Sequence, residues 1–182
     1  ELSVYERTAE KSFAAGRYLP TREVLRMVIE QHPGHGPALC KLGVVHLKLE
    51  DAPAAGDTFR RAVELDADNP YAHRMLGFSL MKAGDIPGAE THAKQAVELA
   101  PDDSRSHVLL ATICFRLGRT KDAENHFKAA IAADPLPSEP YFNLALIYSR
   151  TKRLDEAREY YHQALERNAI PDPALQEALA KP

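Results

Sequence analysis

One pattern of small, apolar and turn residues returns every 34 residues along this chain. A leucine followed by glycine or alanine occurs at Leu42, Leu76, Leu110 and Leu144, always at that interval. Further columns in the same phase are Gly16, Gly84 and Gly118; Ala55, Ala89, Ala123 and Ala157; Ala62, Ala96, Ala130 and Ala164; and Pro33, Pro101 and Pro135. A fixed period of this length predicts stacked copies of one small structural unit.

Five repeats fit the chain without an insertion, at about 2–35, 36–69, 70–103, 104–137 and 138–171. In the third repeat, apolar residues follow helical spacing from Tyr71 to Ala83. Gly84 then favours a left-handed turn, Pro87 suits the first turn of a second helix, and Pro101 ends that helix. Each repeat is therefore predicted to be two helices joined by a turn, and the fold to be all-α.

A single repeat of this kind has too small an apolar core to fold alone, because many of its apolar residues are only alanine. Stacking on neighbouring repeats supplies the missing burial, which is the physical basis of a solenoid. Beyond the fifth repeat, the segment at about 172–181 keeps Leu175, Ala178 and Leu179 in the phase of another first helix. This segment is predicted to be a C-terminal capping helix, and the whole chain, 1–182, to be a single repeat domain.

Composition excludes several classes of function. With a net charge of −3, the chain has no broad basic field for nucleic acid. No apolar run approaches the ~20 residues that span a bilayer, so direct membrane insertion is not expected. Cys40 and Cys114 are far apart and have no metal-ligand spacing. The compartment is left open between cytoplasm and periplasm. Because the chain begins with Glu1 rather than Met, it is expected to be processed or part of a longer protein.

The phase agreement of these columns across five repeats resembles the tetratricopeptide repeat family, whose period is 34 residues. The departures are Glu50 and Lys152 in place of the turn glycine, Thr21 in place of the small alanine, and Ala67 and Ala169 in place of the proline. The resemblance implies a right-handed α–α superhelix of five helix-turn-helix repeats plus the capping helix. It also implies that the first helix of each repeat lines a concave groove.

The resemblance places an apolar floor in that groove with a row of cations along its edge. The residues implied to contact a partner are Val44, Leu47, Lys48, Tyr71, Arg74, Phe78, Met81, Lys82, Val108, Thr112, Phe115, Arg116, Phe142, Leu146 and Arg150. Glu6 and Glu10 make the N-terminal end acidic. An apolar floor with a cationic edge suits a protein or peptide partner with apolar anchors and acidic flanks.

The residues indicate no reaction chemistry. The chain has no glycine-rich phosphate loop after a strand and no nucleophile elbow. His32 and His35 are three residues apart in a turn but have no neighbouring ligand set. His92 and His126 occupy equivalent positions in two second helices and are expected to face each other across the stack. The sequence therefore predicts no metal, no cofactor and no enzymatic activity.

A non-catalytic scaffold that binds a peptide or helix of a partner protein is the leading interpretation. Two alternatives are a self-assembling structural protein, which would be a homo-oligomer, and the adaptor module of a larger enzyme or assembly machine. The groove interpretation requires Phe78, Met81 and Phe115 to be accessible to solvent rather than sealed between helical hairpins.

Overall fold

The computed structural model describes residues 2–180 as a succession of helices, with no strand in that range. Glu1, Pro182 and Lys181, the last residue of the predicted cap, lie outside the described residues. The helices are α1 (Leu2–Ala14), α2 (Tyr18–Gln31), α3 (Gly36–Lys48), α4 (Ala52–Leu65), α5 (Pro70–Ala83), α6 (Ile86–Leu99), α7 (Ser104–Arg116), α8 (Thr120–Ala133), α9 (Glu139–Arg150), α10 (Leu154–Glu166) and α11 (Pro173–Ala180). The all-α prediction is confirmed.

The chain forms two compact units, one ending at Leu99 and the other beginning at Ala100. The N-terminal unit contains α1 to α6, and the C-terminal unit contains α7 to α11. Within each unit every helix packs against the next one along the chain. The helices fall in pairs at the predicted positions, while the proposed repeat boundaries and the single domain stay predictions.

Side chains that cap the first turn explain where α4, α5, α6 and α7 begin. The side chain of Asn69 accepts a hydrogen bond from the backbone N–H of Ala72 at 3.0 Å, and Pro70 follows at the first helical position. Asp51, Asp85 and Asp103 cap α4, α6 and α7 in the same way. Because such side chains satisfy amides that have no partner inside the helix, the start of each helix is set locally.

Each turn inside a repeat uses a left-handed residue. Gly16, Gly84 and Gly118 have φ of 70°, 93° and 75°. Glu50 and Lys152, which replace glycine in their repeats, have φ of 60° and 63°. The backbone conformation is therefore kept where glycine is absent, at a cost in strain to those two residues.

The periodic alanines form the contacts between helices. Ala55, Ala89, Ala123 and Ala157 are all fully buried. In the N-terminal unit, one buried cluster is built around Leu25, Leu39 and Val45, and a second around Phe59 and Leu76. Small side chains let the helices approach, and the larger ones fill the space between them, so the repeat pattern is mainly a packing pattern.

Helix α11 packs against α9 and α10 as the predicted cap. Leu175 and Leu179 are buried, and the guanidinium of Arg158 donates to the carbonyl of Leu179 at 2.9 Å. Ala178, predicted to share the inward face, is exposed. The inward face of this short helix is therefore restricted to its two leucines.

Candidate protein-interaction surface

The N-terminal unit presents part of the predicted surface on α3 and α5. We call this the α3/α5 face; its residues are Val44, Leu47, Lys48, Tyr71, Arg74, Phe78, Met81 and Lys82. All of them are at least partly exposed. Val44 and Leu47 also pack against the buried cluster around Phe59. The apolar floor is thus continuous with the core below it, which holds its side chains in place.

A cavity of about 590 Å³ opens on the α3/α5 face. Five predicted residues line it, namely Val44, Leu47, Lys48, Phe78 and Lys82. The Lys82 ammonium lies 5.8 Å from the centre of the Phe78 ring. An apolar depression flanked by two lysines can accept an aliphatic or aromatic side chain and place an acidic neighbour beside a cation.

Glu50, Ala52 and Met75 also line this cavity, although the sequence did not predict them. Glu50 and Ala52 belong to the turn and the start of the second helix, and Met75 lies on the flank of α5 that packs against the Phe59 cluster. Columns of equivalent first-helix residues carry no information about Glu50 and Ala52, because the path of the turn decides which of their side chains reach the cavity.

Three predicted residues of α5 lie outside the lining of this cavity. Tyr71 is 40% exposed, and the Arg74 guanidinium lies 5.2 Å from the centre of its ring. Met81 is partly exposed. Tyr71 and Arg74 form a cation–aromatic pair one helical turn before the cavity, so α5 presents apolar and cationic groups along most of its length.

The C-terminal unit presents a second set of predicted residues on α7 and α9. We call this the α7/α9 face; its residues are Val108, Thr112, Phe115, Arg116, Phe142, Leu146 and Arg150. All are at least partly exposed. The Arg150 guanidinium lies 5.0 Å from the centre of the Phe115 ring, so a residue of α9 covers part of an aromatic ring on α7. Phe115 is therefore partly exposed, and the Arg150 guanidinium covers part of its ring.

Two residues of the α7/α9 face are partly committed to the fold. The Thr112 hydroxyl donates to the carbonyl of Val108 within α7 at 2.8 Å. The ring of Phe142 packs against Tyr161 of α10, with centroids 6.3 Å apart. Part of each of these two side chains is therefore occupied by contacts within the C-terminal unit.

The family model for the tetratricopeptide repeat matches residues 13–70, 74–136 and 115–174. These ranges cover most of the sequence and include all residues of both faces except Tyr71. The chain belongs to the tetratricopeptide repeat family. No curated protein matches the chain in sequence.

Several solved tetratricopeptide-like structures have a similar fold. MamA 41-end from Desulfovibrio magneticus RS-1 is 18% identical with a TM-score of 0.82, over 92% of this chain and 94% of that one. Pseudomonas aeruginosa pilF is 17% identical with a TM-score of 0.86, over 97% and 80%. YrrB, described as a TPR protein with an unusual peptide-binding site, is 22% identical with a TM-score of 0.73, over 96% and 88%. At these identities the likeness concerns the fold.

Two histidines of second helices each contact a histidine of the first helix in the same hairpin. The expectation that His92 and His126 face each other stays a prediction. His92 contacts His73 with their Nδ1 atoms 3.0 Å apart, and His126 contacts His107 at 3.2 Å. Each contact joins the first and second helix of one hairpin. His35, from the predicted turn pair, instead caps α3 by accepting from the N–H of Ala38 at 3.0 Å.

The two cysteines sit in unreactive surroundings. Cys114 is buried, and Cys40 is half-buried on α3. Burial, together with the nearby carboxylate of Asp66, raises the pKa of the Cys40 thiol. Because the thiolate is the reactive form, Cys40 is poorly suited to nucleophilic chemistry at neutral pH.

Among residues 2–180, no group of three or more histidine, cysteine or acidic side chains is arranged to hold a metal ion. No helix in that range combines the length and the apolar character needed to cross a bilayer.

Proposed function

We propose that this chain is a non-catalytic scaffold that binds a peptide segment or helix of a partner protein, with the α3/α5 face as the principal contact. The tetratricopeptide family is one of protein-interaction scaffolds, and this chain carries that scaffold. The observation that carries the finer proposal is the cavity of about 590 Å³ at Val44, Leu47 and Phe78.

The surroundings of the cavity define the partner's chemistry. Partly exposed apolar side chains on its floor lose contact with water when an apolar anchor enters, at roughly 25 cal/mol per Å² of buried area. Lys48 and Lys82 stand at the edge, where an acidic residue next to the anchor would form a solvent-exposed ion pair. Such rim pairs set orientation and association rate more than affinity. The fitting partner is therefore a segment with an apolar anchor and acidic flanks.

The solved structures with a similar fold support a protein-binding role in general. YrrB is described as having a peptide-binding site, and its structure covers nearly the whole of this chain. The same architecture can therefore present a surface to a peptide. The sequence identity is too low to transfer individual contact residues, so the residues proposed here rest on this chain's own geometry.

Selection from a random peptide display library tests the proposal and does not require the natural partner to be identified. Peptides selected on the wild-type chain are synthesised, and their Kd is measured by fluorescence anisotropy. The double variant Phe78→Ala/Met81→Ala should bind them at least about 10-fold more weakly, because Phe78 lines the cavity, Met81 is a partly exposed apolar neighbour on α5, and buried apolar contacts carry most of the energy of such interfaces. Lys48→Gln/Lys82→Gln should weaken acidic peptides at low salt and have less effect at high salt.

Met27→Ala is the matched control, since Met27 is an exposed methionine on α2. It should leave peptide binding unchanged. The proposal is wrong if the selected peptides bind Phe78→Ala/Met81→Ala as tightly as wild type. It is also wrong if circular dichroism shows that the double variant unfolds, since the two residues would then belong to the core.

A further inference from the structure

Two histidines face each other inside the third hairpin. His73 of α5 is 6% exposed, and His92 of α6 is half-buried. Their Nδ1 atoms are 3.0 Å apart, and the ring centroids are 5.2 Å apart. On its other side, Nε2 of His73 lies 3.0 Å from the backbone carbonyl of Ala67. Both ring nitrogens of His73 are thus in hydrogen-bond contact.

The carbonyl determines where the protons are. A carbonyl oxygen can only accept, so Nε2 of His73 carries a hydrogen and donates it to Ala67. In the neutral His73 ring, Nδ1 then has the lone pair and must accept. His92 therefore donates from Nδ1–H, and its own Nε2 holds the remaining lone pair. One protein carbonyl thereby fixes the tautomer of both rings.

This arrangement accommodates one added proton but not two. A proton on Nε2 of His92 leaves Nδ1–H donating to His73, so every hydrogen bond of the pair survives. A second proton can add only to Nδ1 of His73. Two N–H groups would then point at each other across 3.0 Å, and two imidazolium charges would lie side by side. The doubly charged pair must separate.

We propose that the His73–His92 pair is a pH-sensitive link that holds α5 and α6 together when it carries at most one proton and opens when both rings become charged. In the unfolded chain each histidine titrates independently at a pKa of about 6.5 and takes up a proton. The folded pair takes up at least one fewer. Unfolding therefore binds protons below that pH, and acid destabilises the third hairpin.

The charged groups around the pair reinforce this direction. Burial lowers the pKa of His92, and His73 and Arg60 of α4 lower it further, while Asp85 in the turn before α6 acts in the opposite sense. The fold therefore disfavours the charged form of His92, and the acid-side loss of stability begins as the pH falls below about 6.5.

The same construction recurs in the C-terminal unit. Nδ1 of His107 and Nδ1 of His126 are 3.2 Å apart, and Nε2 of His107 donates to the carbonyl of Pro101 at 2.8 Å. In the next hairpin a tyrosine pair takes the place of the histidines. The Tyr141 hydroxyl donates to the carbonyl of Pro135 at 3.1 Å, and its ring packs against Tyr160. The chain thus contains a version of the link that is built without an imidazole ring.

That version supplies the test variant, His73→Tyr/His92→Tyr. The unfolding constant is measured by urea denaturation between pH 5 and 8.5 for wild type and variant. Their ratio should be constant above pH 7.5 and change by about tenfold or more per pH unit between pH 6 and pH 5, the effect of at least one proton. His32→Gln, which alters an exposed histidine between α2 and α3, should keep the wild-type dependence.

A ratio that stays constant from pH 8.5 to pH 5 would overturn the proposal. NMR titration of the wild-type imidazole signals gives a result even if the tyrosine variant does not fold. We expect the two rings together to take up one proton while the protein stays folded. Uptake of two protons by the folded chain at or above pH 5 would also overturn it.

Discussion

Gly43 of α3 lies directly against the ring of Phe59 on α4. A Cβ atom added at Gly43 would stand 2.5 Å from two carbons of that ring, closer than any real contact. Phe59 is fully buried, so its ring can yield only by disturbing the packing around it. We therefore expect Gly43→Ala to lower the free energy of unfolding by about 1–3 kcal/mol, as overpacked cores do. Urea denaturation measures this loss.

Gly56→Ala is the matched control for that substitution, since Gly56 lies in the adjoining helix α4. An added Cβ there would meet Leu80 and Ser79 at an ordinary 3.9 Å. Alanine is the better helix former, so Gly56→Ala should be neutral or stabilising by about 0.5–1 kcal/mol. Equal destabilisation by both substitutions would contradict the close-contact explanation.

The left-handed residues at the turns predict opposite effects for two further substitutions. Glu50 has φ of 60°, so Glu50→Gly should raise the free energy of unfolding by about 1 kcal/mol by removing backbone strain. Gly84 has φ of 93° with open space around it, so Gly84→Ala should lower it by a similar amount. Thermal melts of both variants at one pH measure the difference. A stability loss in Glu50→Gly would show that the Glu50 side chain contributes more than its backbone costs.

Tyr148 of α9 donates a hydrogen bond to the Glu124 carboxylate of α8 at 2.8 Å. Tyr148→Phe removes this bond and keeps the buried ring, so we expect a loss of about 1–2 kcal/mol at pH 7. Tyr160→Phe, in the adjacent ring, is the control and should change stability little. Urea denaturation of both variants provides the measurement.

The pH dependence of the Tyr148→Phe effect follows from the pKa of Glu124. Burial raises that pKa, but hydrogen bonds from Lys128 and Tyr148 and the charge of Arg153 outweigh it and hold the pKa below its usual range. The charged carboxylate therefore stabilises the fold above the unfolded pKa of about 4.3, and this contribution is lost as the pH falls through the lower folded value. The difference between wild type and Tyr148→Phe should shrink over that range. A difference that grows towards low pH would contradict this assignment.

The cap should matter most to the C-terminal unit. Leu175→Ala removes a buried side chain of α11, and we expect a loss of about 2–3 kcal/mol. Ala178→Ser changes an exposed position of the same helix and should be close to neutral. Hydrogen exchange would locate the Leu175→Ala effect in α9 and α10. Unchanged exchange in those helices would mean that α11 does not stabilise the helices it covers.

Much of the candidate surface could be predicted from equivalent positions in successive repeats. Val44 and Phe78 occupy one such column and Lys48 and Lys82 another, and all four line the cavity. Met75 and Ala52 could not be found in this way. Whether a side chain reaches a cavity depends on the path of the turn and on the packing of the neighbouring helix. Neither of these follows from the residues that recur every 34 positions.

The amino-acid sequence by itself determined the helices, their turns and the family, because capping residues, left-handed turn positions and apolar spacing act over a few neighbouring residues. The sequence also predicted the positions of the buried alanines, because they recur at a fixed interval of 34 residues. Only the tertiary structure decided that His73 meets His92, that Arg150 covers Phe115, and that Gly43 lies against Phe59. Each of these contacts joins residues on two helices, so its geometry is set by how the helices pack and turn about their axes.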